Sequence, residues 1–542
     1  MRNIHVNQCG YRPWDKKVFV CRGTAEEFQV INKVNNEIVL RGKMGPAVYD
    51  QSTDETVVRG DFSELKTPGE YYISVENLGD SFSFKIGNNV YEDVKDGLLK
   101  ALYMQRCGTE LVESHAGKWS HEICHTSKGV LYEAPEIEME ITGGWHDAGD
   151  YGRYVVPAGK AVADLLLAYE FFPEAFKNEI NIPESGNNLP DILNEAKYEL
   201  DWLFKMQNAN NGGVYHKATT QFFCGMIMPE KDLAPIVIYP ISSPATADFA
   251  ATMAYAARVY EKFDKEYSRK CLEAAEKAWT WLKANPEPVL FKNPPNMNSG
   301  EYGDKSDLDE RYWASAELYK TTGNTEYHEY FEAAFKELKD TNSLGWADMA
   351  GYGSITYLFT ERSMVDSEVY AKVKAGFIDK ARALVSISQK DGYKVTRLPE
   401  GYIWGSNMNI LNNAMHLVIA DILESNNAFI ETAFSQWNYL LGANSLSQCY
   451  VTGYGSKPIM HPHHRPSEDD GITEPVPGLV SGGPCRALLD PAAKAHCGGK
   501  APAKCFIDDA ESYSTNEIAI YWNSPAVFVA GFVNLKMCEF KP

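Results

Sequence analysis

The sequence contains no run of about 18 apolar residues, so no segment reads as a membrane-crossing helix. Its first residues, MRNIHVNQCGYRP, lack the apolar core of an export signal. Positive charge is also short. The formal net charge is -21, which repels nucleic acid and anionic membranes and leaves a neutral ligand as the natural partner. No tight cysteine framework is present either: eleven cysteines are scattered from Cys9 to Cys538. An odd number without a framework speaks for free thiols and a reducing or anaerobic setting, and against a disulfide scaffold. The missing leader and the odd thiols favour the cytoplasm, whereas a signal peptide removed ahead of this sequence would make the protein secreted. No repeat of fixed length is visible to support a solenoid. What the chain has in quantity is aromatic side chains, 12% of the total with 31 Tyr and 11 Trp, more than a core alone demands and suited to stacking on sugar rings.

At 542 residues one small and one large domain are expected. From Ile4 to about Ile86 the segments KVFVCRG, EEFQVIN, EIVLRGKM, GEYYISVE and DSFSFKIG alternate in polarity between Asn, Gly and Pro turns. About seven short strands there predict an immunoglobulin-like β-sandwich over residues 1–87. From residue 88 to 542 the period changes to 3.6, with candidate helices beginning near Tyr91, Pro157, Pro190, Ser243, Tyr267, Ser306, Thr325, Gly351, Ser367, Ser406, Asn427 and Thr515. Twelve helices make six hairpins. Long aromatic loops on alternate connections, such as Asn208 to Pro240, Gly401 to Ser406 and Leu446 to Phe506, fit an (α/α)6 barrel whose loops gather on one face; a generic helical array is the plainer alternative.

The stretch GGWHDAGDYGRYVVPAG places Asp147 and Asp150 three residues apart among glycines. Two carboxylates on one tight loop can hold and deprotonate a water, one orienting it while the other takes its proton. Capping of the following helix or calcium binding explains the same pair about as well. A second acid lies in FIDDAESYSTNEIAIYWNSP, where Glu517 is expected in the first turn of the last helix. Neighbours such as Tyr513, Ile518, Tyr521 and Trp522 would raise its pKa toward that of a general acid, while a helix dipole would lower it. Local sequence leaves this open. In HPHHRP, the trio His461, His463 and His464 also competes as a metal site.

The three segments DAGDYGRYV, GYGSKPIMHPHHRPS and FIDDAESYSTNEIAIYWNS together resemble glycoside hydrolase family 9, the cellulase family E. The last fits the family's signature spacing at Phe506, Asp508, Tyr513, Glu517, Ala519, Asn523 and Ser524. The middle motif fits with one departure: Cys449 stands where the family usually carries a small hydroxyl residue or Val. IHVNQCGYRP, DFSELKTPGEYYISVE and YMQRCG are similar to the immunoglobulin-like module and linker of two-domain members, so the resemblance spans the chain. It implies Asp150 as general base, Asp147 as its partner on the water and Glu517 as general acid in an inverting reaction, which needs a gap of about 6.5 to 9.5 Å for that water. It further implies that His463 and Arg465 bind sugar hydroxyls.

Cys107, Cys124, His125 and His146 follow a C-x16-C-H-x20-H pattern, weak as spacing and equally that of four unrelated buried residues. Similarity to zinc-bearing relatives implies structural zinc at these four, anchoring the backbone beside Asp147. Asp309, Glu310 and Asp348 resemble the family's calcium loop, with ordinary helix-start acids as the alternative. No organic cofactor is expected.

Glucose faces are apolar, so the sugar-binding surface is expected from Trp145, Tyr151, Trp313, Trp404, Tyr454 and Tyr513, with amide contacts from Asn407 and Asn409. The expected activity is endo-hydrolysis of β-1,4-glucan by a monomer, with no nucleic acid or membrane partner. An exo-acting cellodextrinase or cellobiohydrolase is the alternative within the family, and a non-catalytic carbohydrate-binding protein the alternative outside it. Because the chain ends at MCEFKP, no further binding module is expected and soluble or amorphous glucan is favoured over crystalline cellulose.

Overall fold

Alternation of buried and exposed side chains turns the first 86 residues into strands, as in Gly69–Val75, where Tyr71, Ile73 and Val75 are buried and the residues between them are not. The computed structural model describes residues 2–535; Cys538 and the MCEFKP tail lie outside them. Nine strands are present in this part: β1 Ile4–His5, β2 Val18–Arg22, β3 Glu27–Asn32, β4 Ile38–Lys43, β5 Val48–Asp50, β6 Glu55–Asp61, β7 Gly69–Val75, β8 Gly79–Asp80 and β9 Phe84–Ile86. They form two sheets, β1-β2-β6-β5 and β4-β3-β7-β8, with β9 also paired to β7. Tyr11, Phe19, Phe28, Phe62 and Phe84 fill the space between them, Tyr11 meeting Phe62 edge-on at 5.2 Å. The count exceeds seven because β1 and β8 are two-residue strands, too short to show alternation.

Twelve helices of eight or more residues follow among the described residues: α1 Glu92–Met104, α2 Val155–Phe171, α3 Asp191–Met206, α4 Ser243–Tyr260, α5 Lys265–Ala284, α6 Leu308–Thr322, α7 Thr325–Glu337, α8 Ala350–Leu358, α9 Ser367–Lys390, α10 Ser406–Leu423, α11 Asn427–Leu440 and α12 Ile520–Leu535. Their starts are chemically marked: the Ser242, Asp264, Asn324 and Asn426 side chains accept the free N–H groups of α4, α5, α7 and α11. Burial alternates along the chain. The even-numbered helices are buried nearly all round, whereas the odd-numbered ones bury one stripe. That is the pattern of paired inner and outer helices.

The helix-and-loop expectation for residues 88–240 needs one correction. Five short strands, β10 Gly129–Leu131, β11 Ala134–Met139, β12 Arg153–Tyr154, β13 Lys217–Thr219 and β14 Val237–Ile238, form a third sheet in the order β11-β10-β14-β13-β12. Its strands come from two distant connections, α1–α2 and α3–α4, one pair of them parallel; four are only two or three residues long, too short to carry a periodic signal, and β11 is exposed along most of its length.

By compactness the chain divides into Met1–Ala101 with Ala381–Pro542, and Leu102–Lys380. Within the first unit the β-sandwich is fastened to the helical part by buried polar contacts. The Gly392 N–H donates to Asp50 Oδ2 at 2.7 Å, and Gln8 Oε1 accepts the N–H groups of Ser456 and Lys457.

Candidate active site

In the Leu102–Lys380 unit the aspartate loop is shaped by glycine and fixed from below. Gly144 has φ +77, and a Cβ there would stand 2.7 Å from the Trp202 ring, so only glycine fits. The Gln105 amide donates to the carbonyls of His146 and Ala148 at 3.0 and 2.9 Å. Within the loop the Asp147 N–H donates to Gly152 O and the Gly152 N–H to Asp150 Oδ2 at 2.9 Å. Asp147 and Asp150 are 1% and 8% exposed. Asp147 Oδ2 accepts the Tyr302 hydroxyl, while Oδ1 has no partner. Burial pushes the Asp147 carboxyl well above its usual range, Tyr302 opposes the rise and the Asp150 charge adds to it.

The four expected zinc ligands converge immediately beside this loop. The ligand atoms of Cys107, Cys124, His125 and His146 all lie within 4.8 Å of one another, the one group of its kind among the described residues. His146 Nε2 is 3.4 Å from His125 Nδ1 and 3.9 Å from Cys124 Sγ. A tetrahedral site with metal–ligand bonds of about 2.0 to 2.3 Å requires edges of roughly 3.3 to 3.8 Å, so the residues fit zinc. His125 Nε2, on the far side of its ring, lies 3.6 Å from Asp232 Oδ2, the outer carboxylate that commonly orients a metal-binding imidazole. Despite burial, Cys124, Arg153 and His146 hold the Cys107 thiol well below its ordinary value, in keeping with a thiolate ligand.

In the other unit Glu517 occupies a position the sequence misplaces. It precedes the last helix, in extended backbone between the short helix Tyr513–Asn516 and α12. Its backbone bridges to His463 in parallel, with the His463 N–H donating to Asn516 O at 2.9 Å. On its other side the Gly482 N–H donates to Glu517 O at 2.8 Å. A helix-dipole argument therefore does not apply to Glu517. Asp508 ties this arrangement together, accepting the N–H groups of Met460 and His461 and the Asn516 amide. The Tyr513 ring stands 5.4 Å from Trp404 and 6.1 Å from His463, and Trp404 is 43% exposed. The Glu517 backbone is thus paired with that of His463, whose ring neighbours Tyr513, itself beside Trp404.

Not every expected sugar contact is at the surface. Trp145 and Trp313 are 1% and 0% exposed, and their indole N–H groups donate to Glu195 and Glu317; both are core side chains. Tyr151 packs on the His125 and His146 rings and donates to Ile227 O. Tyr454 donates to Asp93 O and lines a cavity of about 560 Å³ with Gln8, Cys9 and Lys85. Asn407 is buried and holds Ser481 O, while Asn409 turns back to Gly405 O at 3.4 Å. Arg465 begins a short helix, Arg465–Asp469, and is nearly buried. Among the calcium candidates, Asp309 Oδ2 accepts the Met349 N–H and Asp348 Oδ1 the Ala350 N–H. Both Glu310 oxygens, both Asp248 oxygens and Asp304 Oδ2 are buried without a partner. Sequence reasoning missed Asp248, Asp304 and Tyr302: the first lies inside α4 and the other two on the stretch before α6, neither with a local pattern.

A β-sandwich followed by paired helices, with its acidic groups displayed on loops, has the make-up of a glycoside hydrolase. Residues 91–530 match the model of glycosyl hydrolase family 9, and residues 1–80 that of the cellulase N-terminal ig-like domain; the chain belongs to glycosyl hydrolase family 9. The helical part is accordingly an (α/α)6 barrel. A cellodextrinase from Butyrivibrio fibrisolvens is 37% identical over 97% of this chain and 99% of its own length. The crystal structure of a thermostable endoglucanase variant from Alicyclobacillus acidocaldarius has a TM-score of 0.94 at 40% identity, covering 99% of this chain and 100% of that one. A zinc-binding triple mutant of a family 9 endoglucanase has a TM-score of 0.92 at 34% identity, covering 96% and 99%.

Proposed function

We propose that the protein hydrolyses β-1,4-glucosidic bonds in glucans and cello-oligosaccharides with inversion at the anomeric carbon. Asp150 takes the proton of the attacking water, Asp147 orients that water, and Glu517 protonates the departing sugar oxygen. The observation that carries this reading is the aspartate loop. Its backbone is fixed by Gln105, and Asp147 keeps one oxygen free while Tyr302 holds the other. Trp404 and Tyr513 supply apolar faces for sugar rings and His463 a polar contact beside Glu517. Zinc held by Cys107, Cys124, His125 and His146 supplies structural closure only, locking the backbone next to Asp147. Calcium at Asp309, Glu310 and Asp348 is supported by the partnerless Glu310 oxygens, with Asp248 and Asp304 as further oxygen donors.

Endo-action on polymeric glucan is the primary reading, and the endoglucanase of A. acidocaldarius supports it. Trimming of short cellodextrins is the second, favoured by similarity to the cellodextrinase along nearly all of both chains. Product lengths from cellohexaose separate the two. Proton NMR of the first-formed anomer tests the stereochemistry, and a retained configuration would overturn the mechanism. Asp150→Asn and Glu517→Gln should each lower kcat about 10²- to 10⁴-fold with oligosaccharide binding kept; unchanged turnover in either removes that residue from its role.

A further inference from the structure

The proposed chemistry leaves a buried cation unaccounted for. Lys217, on β13, is 0% exposed, and among the described residues no carboxylate is within ion-pair distance of it. Its ammonium donates instead to Asn293 Oδ1 at 2.7 Å, Gly300 O at 2.6 Å and Ser299 Oγ at 3.2 Å. All three acceptors belong to one irregular stretch, residues 293–300. The neighbouring His216 completes the grip, with Nε2 2.9 Å from Glu301 O. From the paired strand, the Tyr154 hydroxyl accepts the Gly300 N–H at 3.0 Å. Asn293 closes the loop on itself, its N–H donating to Glu301 Oε2 at 2.9 Å.

The next residue is Tyr302. It has φ +45, a left-handed conformation that a bulky side chain keeps only when its surroundings enforce it. Its ring is held between Tyr154 at 4.8 Å and Trp346 at 4.9 Å, and its hydroxyl donates to Asp147. We propose that Lys217 is a positioning residue for the hydrolytic reaction: by clamping residues 293–300 it keeps Tyr302 in its left-handed conformation, with its hydroxyl on Asp147. A charged donor meeting three acceptors on one loop gives both strength and direction. Removing it takes the ammonium donor from the half-buried Asn293 Oδ1 and Gly300 O, whereas Ser299 Oγ keeps the Thr219 hydroxyl at 3.0 Å. Burial brings the Lys217 pKa down to about 7, with Asp150 and Glu301 opposing.

The inference rests on the catalytic reading of Asp147 and Asp150, and steady-state kinetics on a soluble β-1,4-glucan and on cellohexaose tests both. Lys217→Met should lower kcat about 10- to 100-fold with KM within about threefold, and Lys217→Arg, which keeps the charge and donors, should recover about tenfold of the loss. Tyr302→Phe should lose a similar factor. Because the two residues act on one group, the double variant should fall within about twofold of the poorer single one. A purely architectural lysine would give a lower Tm with kcat within about twofold of wild type, or losses that multiply in the double variant; either result overturns the proposal. Should Lys217→Met fail to fold, Asn293→Ala takes its place in the same cycle with the same criteria. Asp150→Asn separates the two claims. If it retains turnover, the catalytic reading fails; if it is inactive while Lys217→Met is fully active, only the clamp fails.

Discussion

His125 Nδ1 lies 3.4 Å from His146 Nε2, and His146 is followed in the chain by Asp147. A metal joining the two imidazoles to Cys107 and Cys124 therefore fixes the residue next to the proposed water-holding carboxylate. Without it, two thiols and two imidazoles crowd a buried space and the loop loses its anchor. Removing zinc with a strong chelator should lower Tm by several degrees and activity by about tenfold or more, and both should return together on adding one equivalent of zinc. Cys124→Ser should behave as the chelated protein does. Metal analysis alongside hydrolysis rates checks this. Full activity in a zinc-free, folded sample would show that the loop needs no metal.

The two tryptophan environments predict opposite phenotypes. Trp404 is exposed beside Tyr513, so Trp404→Ala should raise KM for cellohexaose about five- to tenfold, roughly the 1 kcal/mol or so of one stacked aromatic contact, with Tm nearly unchanged. Trp313 is enclosed on α6 with its N–H on Glu317. Trp313→Ala should cost about 3 to 5 kcal/mol of stability and leave that carboxylate short of a donor. Thermal melts and Michaelis curves of the two variants, compared directly, decide the matter; matched effects on KM would return Trp313 to the sugar surface.

How far the sequence speaks depends on whether the determining contacts are local. Helix starts at Ser243, Thr325 and Asn427 were readable because the capping side chain sits one residue ahead. The zinc ligands were readable only through resemblance, yet they converge because Gly144 and Gln105 bend and hold the backbone between them. By contrast, the third sheet joins residues 129–139 to residues 217–238, and Tyr302 reaches Asp147 from 155 residues away. Neither leaves a period or a motif. Trp145 and Trp313 show the complementary error: an indole beside a motif looks the same in sequence whether its N–H meets a buried glutamate or solvent. Glu517 was displaced for a related reason, since a backbone bridge to His463 replaces the first helical turn.

The acidic group on α4 and α6 predicts calcium-dependent stability. Both oxygens of Glu310 and of Asp248 are buried without a donor, and burial pushes each carboxyl well above its usual range, the neighbouring acids adding to it. A divalent cation would satisfy both at once. After treatment with a calcium chelator, millimolar Ca²⁺ should raise Tm by several degrees, and Glu310→Gln should abolish the increment. A Tm indifferent to Ca²⁺ in the wild type would leave these acids as protonated core groups.

A last prediction concerns the joint between the β-sandwich and the helices of its own unit. Asp391 and Asp50 meet there in a carboxyl pair, and burial and then the Asp50 charge push the Asp391 carboxyl well above its usual range, with the N–H groups of Val395 and Tyr393 opposing. Asp50 in turn accepts the Gly392 N–H and both donors of Thr53, so the proton of the pair belongs on Asp391. A folded pKa above the unfolded one means the contribution is complete below about pH 4 and is lost as pH rises through the folded value. Stability should therefore decline from mildly acidic toward alkaline pH. Asp391→Asn reproduces the protonated acid: its carbonyl keeps the two N–H groups, its amide donates to Asp50, and it has no proton to lose. The variant should match wild-type Tm near pH 4.5 and exceed it by about 2 °C or more near pH 8. Melting curves across that range check the sign, and two parallel curves would mean that the pair carries no titrating proton.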